Sequence, residues 1–167
     1  IDTTVMFVFN AIDPQKTDVP FTITITAYEA DGNVATQYTG TATISDLTGT
    51  IDPGSTGAFV AGVWTGDVTV TETLMANTIT ATDAGMTGTS ASFNIYDVLL
   101  TLNDGWTLVS TDKWIDAESS AWEGTATLVL KYTADGFLSA TLADLEPVEA
   151  LYVKMPGGGW AGLAYSD

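Results

Sequence analysis

The side chains able to do chemistry in this 167-residue chain are carboxylates, hydroxyls and four lysines, since it holds no histidine, cysteine or arginine. Carboxylates offer two kinds of chemistry. In pairs facing each other across a cleft they hydrolyse glycosides, and Glu118 with Glu123, around Trp122, and Glu146 with Glu149, around Pro147, are the closest approach to such pairs. Nothing in their spacing sets them across a cleft, so they read as surface charge. At loop ends, acidic and amide oxygens hold Ca²⁺. Asp31, Asn33 and Asp83 are the candidate Ca²⁺ ligands, and Asp46, Asp97 and Asp104 stand at similar predicted turns. EF-hand spacing is absent, and Asp and Asn also serve turn geometry and solubility by themselves.

Three further groups invite a chemical reading and are assigned a structural one. Gly157-Gly158-Gly159 lacks the Gly-Lys-Ser/Thr ending and following helix of a phosphate cradle, and reads as a loop. Lys131 and Lys154 sit in apolar strand segments, as a lysine in an isopeptide cross-link would. Alternation places them opposite Leu128/Leu130 and Val153/Met155, in solvent. Trp106, Trp114, Trp122 and Trp160, with Tyr132, Tyr152 and Tyr165, suit a small-domain core, a subunit contact or a sugar-stacking platform.

The net charge of −17 excludes further classes. Four scattered lysines cannot neutralise a run of phosphates, so nucleic acid is not a partner. No apolar run approaches the ~20 residues of a membrane-spanning helix. Lack of His and Cys removes thiol, imidazole and zinc-type chemistry, and no enzyme is expected. Absence of cysteine also rules out a disulfide framework, so stability must come from packed sheet. The acidic surplus suits an extracellular chain. No asparagine has Ser or Thr two places on, so N-linked sugar is excluded, whereas threonine, about one residue in six, offers O-linked sites. Ile1 is an unusual first residue and reads as a processed end, with any export signal removed.

The elements that must position these groups are strands. Phe21 to Tyr28 alternates Phe/Ile/Ile/Ala against Thr/Thr/Thr/Tyr, a half-buried strand. Asp31-Gly32 turns the chain. Returning strands are expected over Val34–Tyr38, Thr41–Ser45, Ala58–Thr65, Asp67–Thr71, Asn77–Asp83 and Thr87–Tyr96, with turn chemistry at Asp52–Gly57. About seven short strands at 8–12-residue spacing describe an antiparallel β-sandwich. At residue 98 the threonine alternation fades, and four of five tryptophans and three of four lysines follow. We expect two domains, 1–98 and 99–167, the second a smaller aromatic-rich β domain. Its strands are expected over Leu100–Leu102, Thr107–Ser110, Ala126–Tyr132, Gly136–Ser139 and Ala150–Met155, with helical turns at Asp116–Glu123 and Leu142–Glu146. At this size it is marginal alone, so it is expected to dock on the sandwich or a neighbour through a stiff junction.

The runs FTITITAYEADGN (21–33) and YTGTATISD (38–46) resemble bacterial and archaeal immunoglobulin-like repeats of invasin-type adhesins and S-layer proteins. WTGDVTV (64–70) and NTITATD (77–83) look like the E and F strands of that family, and the similarity covers residues 3 to 96. LNDGWTLVS (102–110) and LEPVEALYVKM (145–155) are similar to small β domains at the ends of microbial surface proteins. The resemblance implies an Ig-like β-sandwich in an extracellular, cell-surface setting, without catalytic residues.

The expectation is therefore a secreted structural protein whose copies self-assemble into a filament or S-layer-like array, with an adhesin or carbohydrate-binding module as the alternative. The expected assembly interface comprises Val5, Met6, Phe7, Val8 and Phe9 with Trp106, Trp114, Trp122 and Trp160. The N-terminal segment, apolar on both faces, is either a central strand of its own sandwich or exchanged into a neighbour's sheet. The expected partners are copies of the chain itself and surface glycans, with no membrane span and no cofactor besides Ca²⁺.

Overall fold

The computed structural model describes residues 4–111, 113–123, 126, 128–133, 136–145, 147 and 150–166, and for Thr4, Val5, Glu123, Leu128, Tyr132 and Gly136 it describes the backbone alone. The chain is all-β, with several antiparallel sheets and a single 3₁₀ turn at Leu142–Asp144 among the described residues. It divides into two compact units, Ile1–Ile95 and Tyr96–Asp167.

The first unit contains β1 (Thr4–Phe9), β2 (Gln15–Lys16), β3 (Phe21–Glu29), β4 (Thr43–Asp46), β5 (Val63–Val68), β6 (Leu74–Asn77), β7 (Ile79–Asp83), β8 (Met86–Thr89) and β9 (Phe93–Tyr96). Six strands form one sheet in the order β4-β7-β8-β1-β3-β5, and β2-β9-β6 form another. The period-two pattern of β3 sends Phe21, Ile23, Ile25 and Ala27 inward, where they meet Ile44, Val68, Ile79, Ala81, Phe93 and Ile95. Phe7, Tyr38 and Phe59 form an aromatic cluster with centroids 5.0 to 5.7 Å apart.

β1 is a central strand. It pairs antiparallel with β3 and parallel with β8, so of the two placements expected for the N-terminal segment, the chain by itself adopts the intramolecular one. One segment bonds beside both ends of the sheet, to β4 and to the residue after β5. Ser55 bridges to Thr43 of β4, and Asp52 bridges to Thr69, just past β5. Backbone bonds Asp52 N–H to Thr69 O (2.9 Å), Thr69 N–H to Asp52 O (2.8 Å) and Ile44 N–H to Gly54 O (3.0 Å) hold it there. Residues 52–55 thus occupy part of the outer edge of β4 and the backbone of Thr69, satisfying groups that would otherwise be exposed there.

Next to that segment lies a polar hub. Asn77, fully buried, accepts from Leu47 N–H at 3.1 Å and donates to Asp46 Oδ2 at 3.1 Å. Asp46 also accepts from the backbone N–H groups of Thr48, Thr50 and Ile51 and from the Thr48 hydroxyl. Burial disfavours its charge, but the bonds from Thr48, Asn77 and Ile51 outweigh that and hold its carboxyl below the ordinary 3.8.

The second unit contains β10 (Val98–Leu102), β11 (Gly105–Ser110), β12 (Ile115–Glu123), β13 (Leu128–Thr133), β14 (Gly136–Ser139), β15 (Ala150–Met155) and β16 (Gly159–Tyr165). They form sheets β10-β16-β12 and β11-β15-β13-β14. Its core draws Leu102, Ala161 and Trp122 from the first sheet, Val109, Leu151, Val153 and Met155 from the second, and Leu145 from beside the 3₁₀ turn. Gly162 is required by close approach, because an added Cβ would land in the ring of Tyr96, which is fully buried.

Several elements differ from expectation. Val34–Tyr38 makes one bridge, Tyr28 to Val34, and is otherwise turns. Asp116–Glu123 is strand rather than helical turn, with a register shift between Asp116 and Ala121. Thr87–Tyr96 is two strands in different sheets, parted where the Ser90 hydroxyl bonds Ile79 N–H and Ala91 O. β2, β6 and β16 are additional.

Candidate functional site

The aromatic face of the second unit is built by strand alternation. β11 follows the Asn103-Asp104-Gly105 turn, where Gly105 takes φ +96°, and its residues point alternately in and out. Val109 enters the core while Trp106 and Leu108 face out, 51% and 56% exposed. β15 behaves likewise: Leu151, Val153 and Met155 are buried, while Tyr152 and Lys154 are exposed. Antiparallel register sets Trp106 opposite Lys154 and Leu108 opposite Tyr152, and Leu130 of β13 on the far side of Tyr152. Directly opposed residues share a face, so these side chains form one row. Phe137, 56% exposed, completes it, meeting Tyr152 edge-to-face at 5.4 Å and 83°. Trp106, Leu130, Phe137 and Tyr152 line a shallow cavity of about 170 Å³. The Lys154 ammonium stands 6.0 Å from the Trp106 ring centre, at the outer limit of a cation–π contact.

This face carries no acid. The four strands β11, β13, β14 and β15 contain neither Asp nor Glu, in a chain with 21 of them. A strand surface kept free of acids and loaded with rigid aromatics resembles the buried centre of an interface, with Lys154 as its charged residue.

A second exposed apolar surface lies on the first unit. On the outward side of β1, Met6 and Val8 are 49% and 41% exposed. They pair with Tyr28 and Thr26 of β3. Met6, Val8, Tyr28, Glu29, Ala30 and Gly32 line an open groove of about 410 Å³.

The sequence-predicted residues are thus separated. Met6 and Val8 are surface, whereas Phe7 (3% exposed) is core and Phe9, half-buried, packs against it. Val5 lies in β1, and its side chain is outside the described residues. The four tryptophans do not form one platform. Trp106 belongs to the aromatic face, and Trp122 packs toward the core. Trp160, opposite Thr101 and Glu123, is exposed on the other sheet. Trp114 is exposed ahead of β12, its carbonyl accepting from Ser166 N–H. Leu108, Leu130, Phe137 and Tyr28 were not among the predicted contact residues.

The candidate Ca²⁺ ligands have other partners. Asp31 accepts from the Asn33 backbone N–H (3.0 Å) and side-chain amide (2.9 Å), and these bonds hold its carboxyl below the usual range. Asp83 accepts from the Tyr38 hydroxyl at 2.6 Å. Among the described residues no three His, Cys, Asp or Glu stand close enough to hold a metal ion. Glu146, Glu149 and the Glu123 side chain lie outside the described residues. Gly157 and Gly158 take φ +81° and +76°, and the Gly157 N–H donates to Asp104 Oδ1 at 2.9 Å. Lys154 faces out as expected, but Lys131 does not. Its pairing with buried Leu151 sets it on the core side, at whose rim its ammonium donates to Asp144 O at 3.1 Å. Leu130 takes the outward place instead.

Comparisons with protein-family models, with curated proteins and with solved structures gave no match to this chain.

Proposed function

We propose that this chain is a structural subunit of an extracellular, cell-surface assembly, with an Ig-like sandwich as its first unit and the outward face of β11-β15-β13-β14 as its principal contact. The observation that carries the reading is that face: Trp106, Leu108, Phe137 and Tyr152 exposed together, with half-buried Leu130 between them, on strands without an acid. Contiguous apolar surface of this kind marks interaction sites, and the surrounding negative charge keeps the unassembled chain soluble. The absence of His and Cys from the sequence leaves little for catalysis. Because β1 is hydrogen-bonded on both sides in its own sheet, assembly is assigned to exposed faces and not to exchange of that strand.

Carbohydrate binding is the second reading, supported by the Phe137–Tyr152 pair and Trp106. A sugar site also needs hydrogen-bonding groups for hydroxyls, and the cavity's lining offers only the Tyr152 hydroxyl and the Trp106 indole N–H, which favours an apolar partner. Sedimentation velocity and negative-stain microscopy with and without Ca²⁺ test the proposal. Assembly should rise with concentration and fall more than about tenfold in affinity for Trp106→Ser, as for a central aromatic contact. A wild-type chain that stays monomeric throughout, or that binds on a glycan array through Trp106 and Tyr152, overturns it.

A further inference from the structure

We propose that copies of the chain associate head-to-tail, the aromatic face of one copy's second unit seating on the Met6–Val8–Tyr28 groove of another copy's first unit. The inference rests on the self-assembly reading above and names its contact. Both surfaces are exposed and apolar, and their chemistries differ in a complementary way. The groove offers Met6, an unbranched thioether that adapts to a rigid partner and makes favourable sulfur–aromatic contacts, with Val8 and Tyr28 beside it. The opposing face offers the rings of Trp106, Phe137 and Tyr152.

Charge decides which surface meets which. Glu29 lines the groove, and Asp31 stands in the adjoining turn. The aromatic face has no acid on its strands and carries Lys154. Joining two aromatic faces would bring Lys154 against Lys154, and joining two grooves would bring Glu29 against Glu29. Only the unlike pairing sets opposite charges together, and like-charge juxtaposition is the usual means by which an interface rejects a wrong partner. Because each copy carries one surface of each kind, the contact is heterologous and propagates into open chains or closes into rings.

Reciprocal charge reversal in the full chain tests the pairing, at exposed Lys154 and half-buried Glu29, with far-UV circular dichroism of each variant checking that the fold is kept. Lys154→Glu and Glu29→Lys are prepared separately, and sedimentation velocity is run on each alone and on their equimolar mixture. Each variant alone should associate roughly tenfold more weakly than wild type, within the range for rim charge pairs, and the mixture should recover wild-type association. Variants that assemble like wild type, or a mixture that stays as weak as its parts, overturn this contact while leaving assembly by another surface standing. A wild-type chain that never associates overturns the assembly reading and this contact together.

Discussion

The outward faces of the two large sheets are built by the same alternation and end with opposite surfaces. In the six-stranded sheet threonine hydroxyls at outward positions bond across strands, Thr24 with Thr65 at 3.0 Å and Thr80 with Thr89 at 3.1 Å, while the Thr22 hydroxyl donates to the Asp67 carboxylate. In the β11-β15-β13-β14 sheet the same positions hold Trp106, Leu108, Leu130, Phe137 and Tyr152. The buried cores behind both are apolar, built from Ile, Val, Ala and Phe in the first and Leu, Val, Met and Ala in the second. Threonine satisfies the β preference for branching while leaving a hydrated surface, so the first face is stable without a partner. The second keeps large apolar area in water, which pairing with another molecule would remove. Met6 and Val8 of β1, with Tyr28 of β3 beside them, interrupt the hydroxyl face.

The strongest way to break this comparison is to swap inside for outside on neighbouring residues. Val153→Asp puts a charge into the second core and should cost about 4 kcal/mol or more. Tyr152→Ser, one residue earlier, should change stability by less than about 1 kcal/mol and act on association. Urea unfolding of both variants checks the contrast, and equal costs would show that Tyr152 is not an outward residue.

Next in size is Gly88→Ala. β8 reaches β1 closely enough to carry Thr87 and Thr89 outward only because its inward residue has no side chain. An added methyl would land on the Phe7 carbonyl oxygen, which cannot give way without moving backbone. The expected loss is about 3 kcal/mol, read from the urea midpoint.

Asp46 sharpens the contrast through pH. Its carboxyl is held below the ordinary 3.8 in the folded chain. The unfolded chain therefore takes up the proton first, and the stability Asp46 contributes is present above 3.8 and lost as pH falls through its lowered folded value. Asp46→Asn should flatten the acid limb of the stability curve and cost about 1 kcal/mol at neutral pH, after allowance for its part exposure. Thermal melts across the acid range read both effects.

The smallest effect is expected from extending the hydroxyl face across β1. Met6→Thr with Val8→Thr should leave stability within about 0.5 kcal/mol while weakening association of the chain. Unchanged association would remove the groove from the comparison.

Much of this was legible in the sequence where one face is wet and the other dry. β3 alternates without a break, and β15 runs over the expected residues, because half-buried strands write period two into their composition. β16 was missed for the converse reason. Ala161, Gly162, Leu163 and Ala164 are all buried, so the strand shows no alternation, and the glycines beside it read as loop. β12 reads as helical because a bulge interrupts it. There Glu118 N–H bonds Asp116 Oδ1 at 3.0 Å and Ser120 Oγ donates to Asp116 O at 2.7 Å, a local turn within a strand. Of the candidate site, Trp106 was legible as an aromatic in a strand. Leu130 and Phe137 were not, because deciding which of Leu130 and Lys131 faces inward takes the register with Leu151 and Tyr152. The lack of acids across those four strands was the available signal.

The segment at residues 52–55 has a consequence for how such a chain survives crowding. By occupying part of the hydrogen-bonding flank of β4 and the backbone of Thr69, it shortens the free edge on which a passing polypeptide could pair. An incoming strand would have to displace residues 52–55 before it could pair with β4 at Thr43 and Ile44.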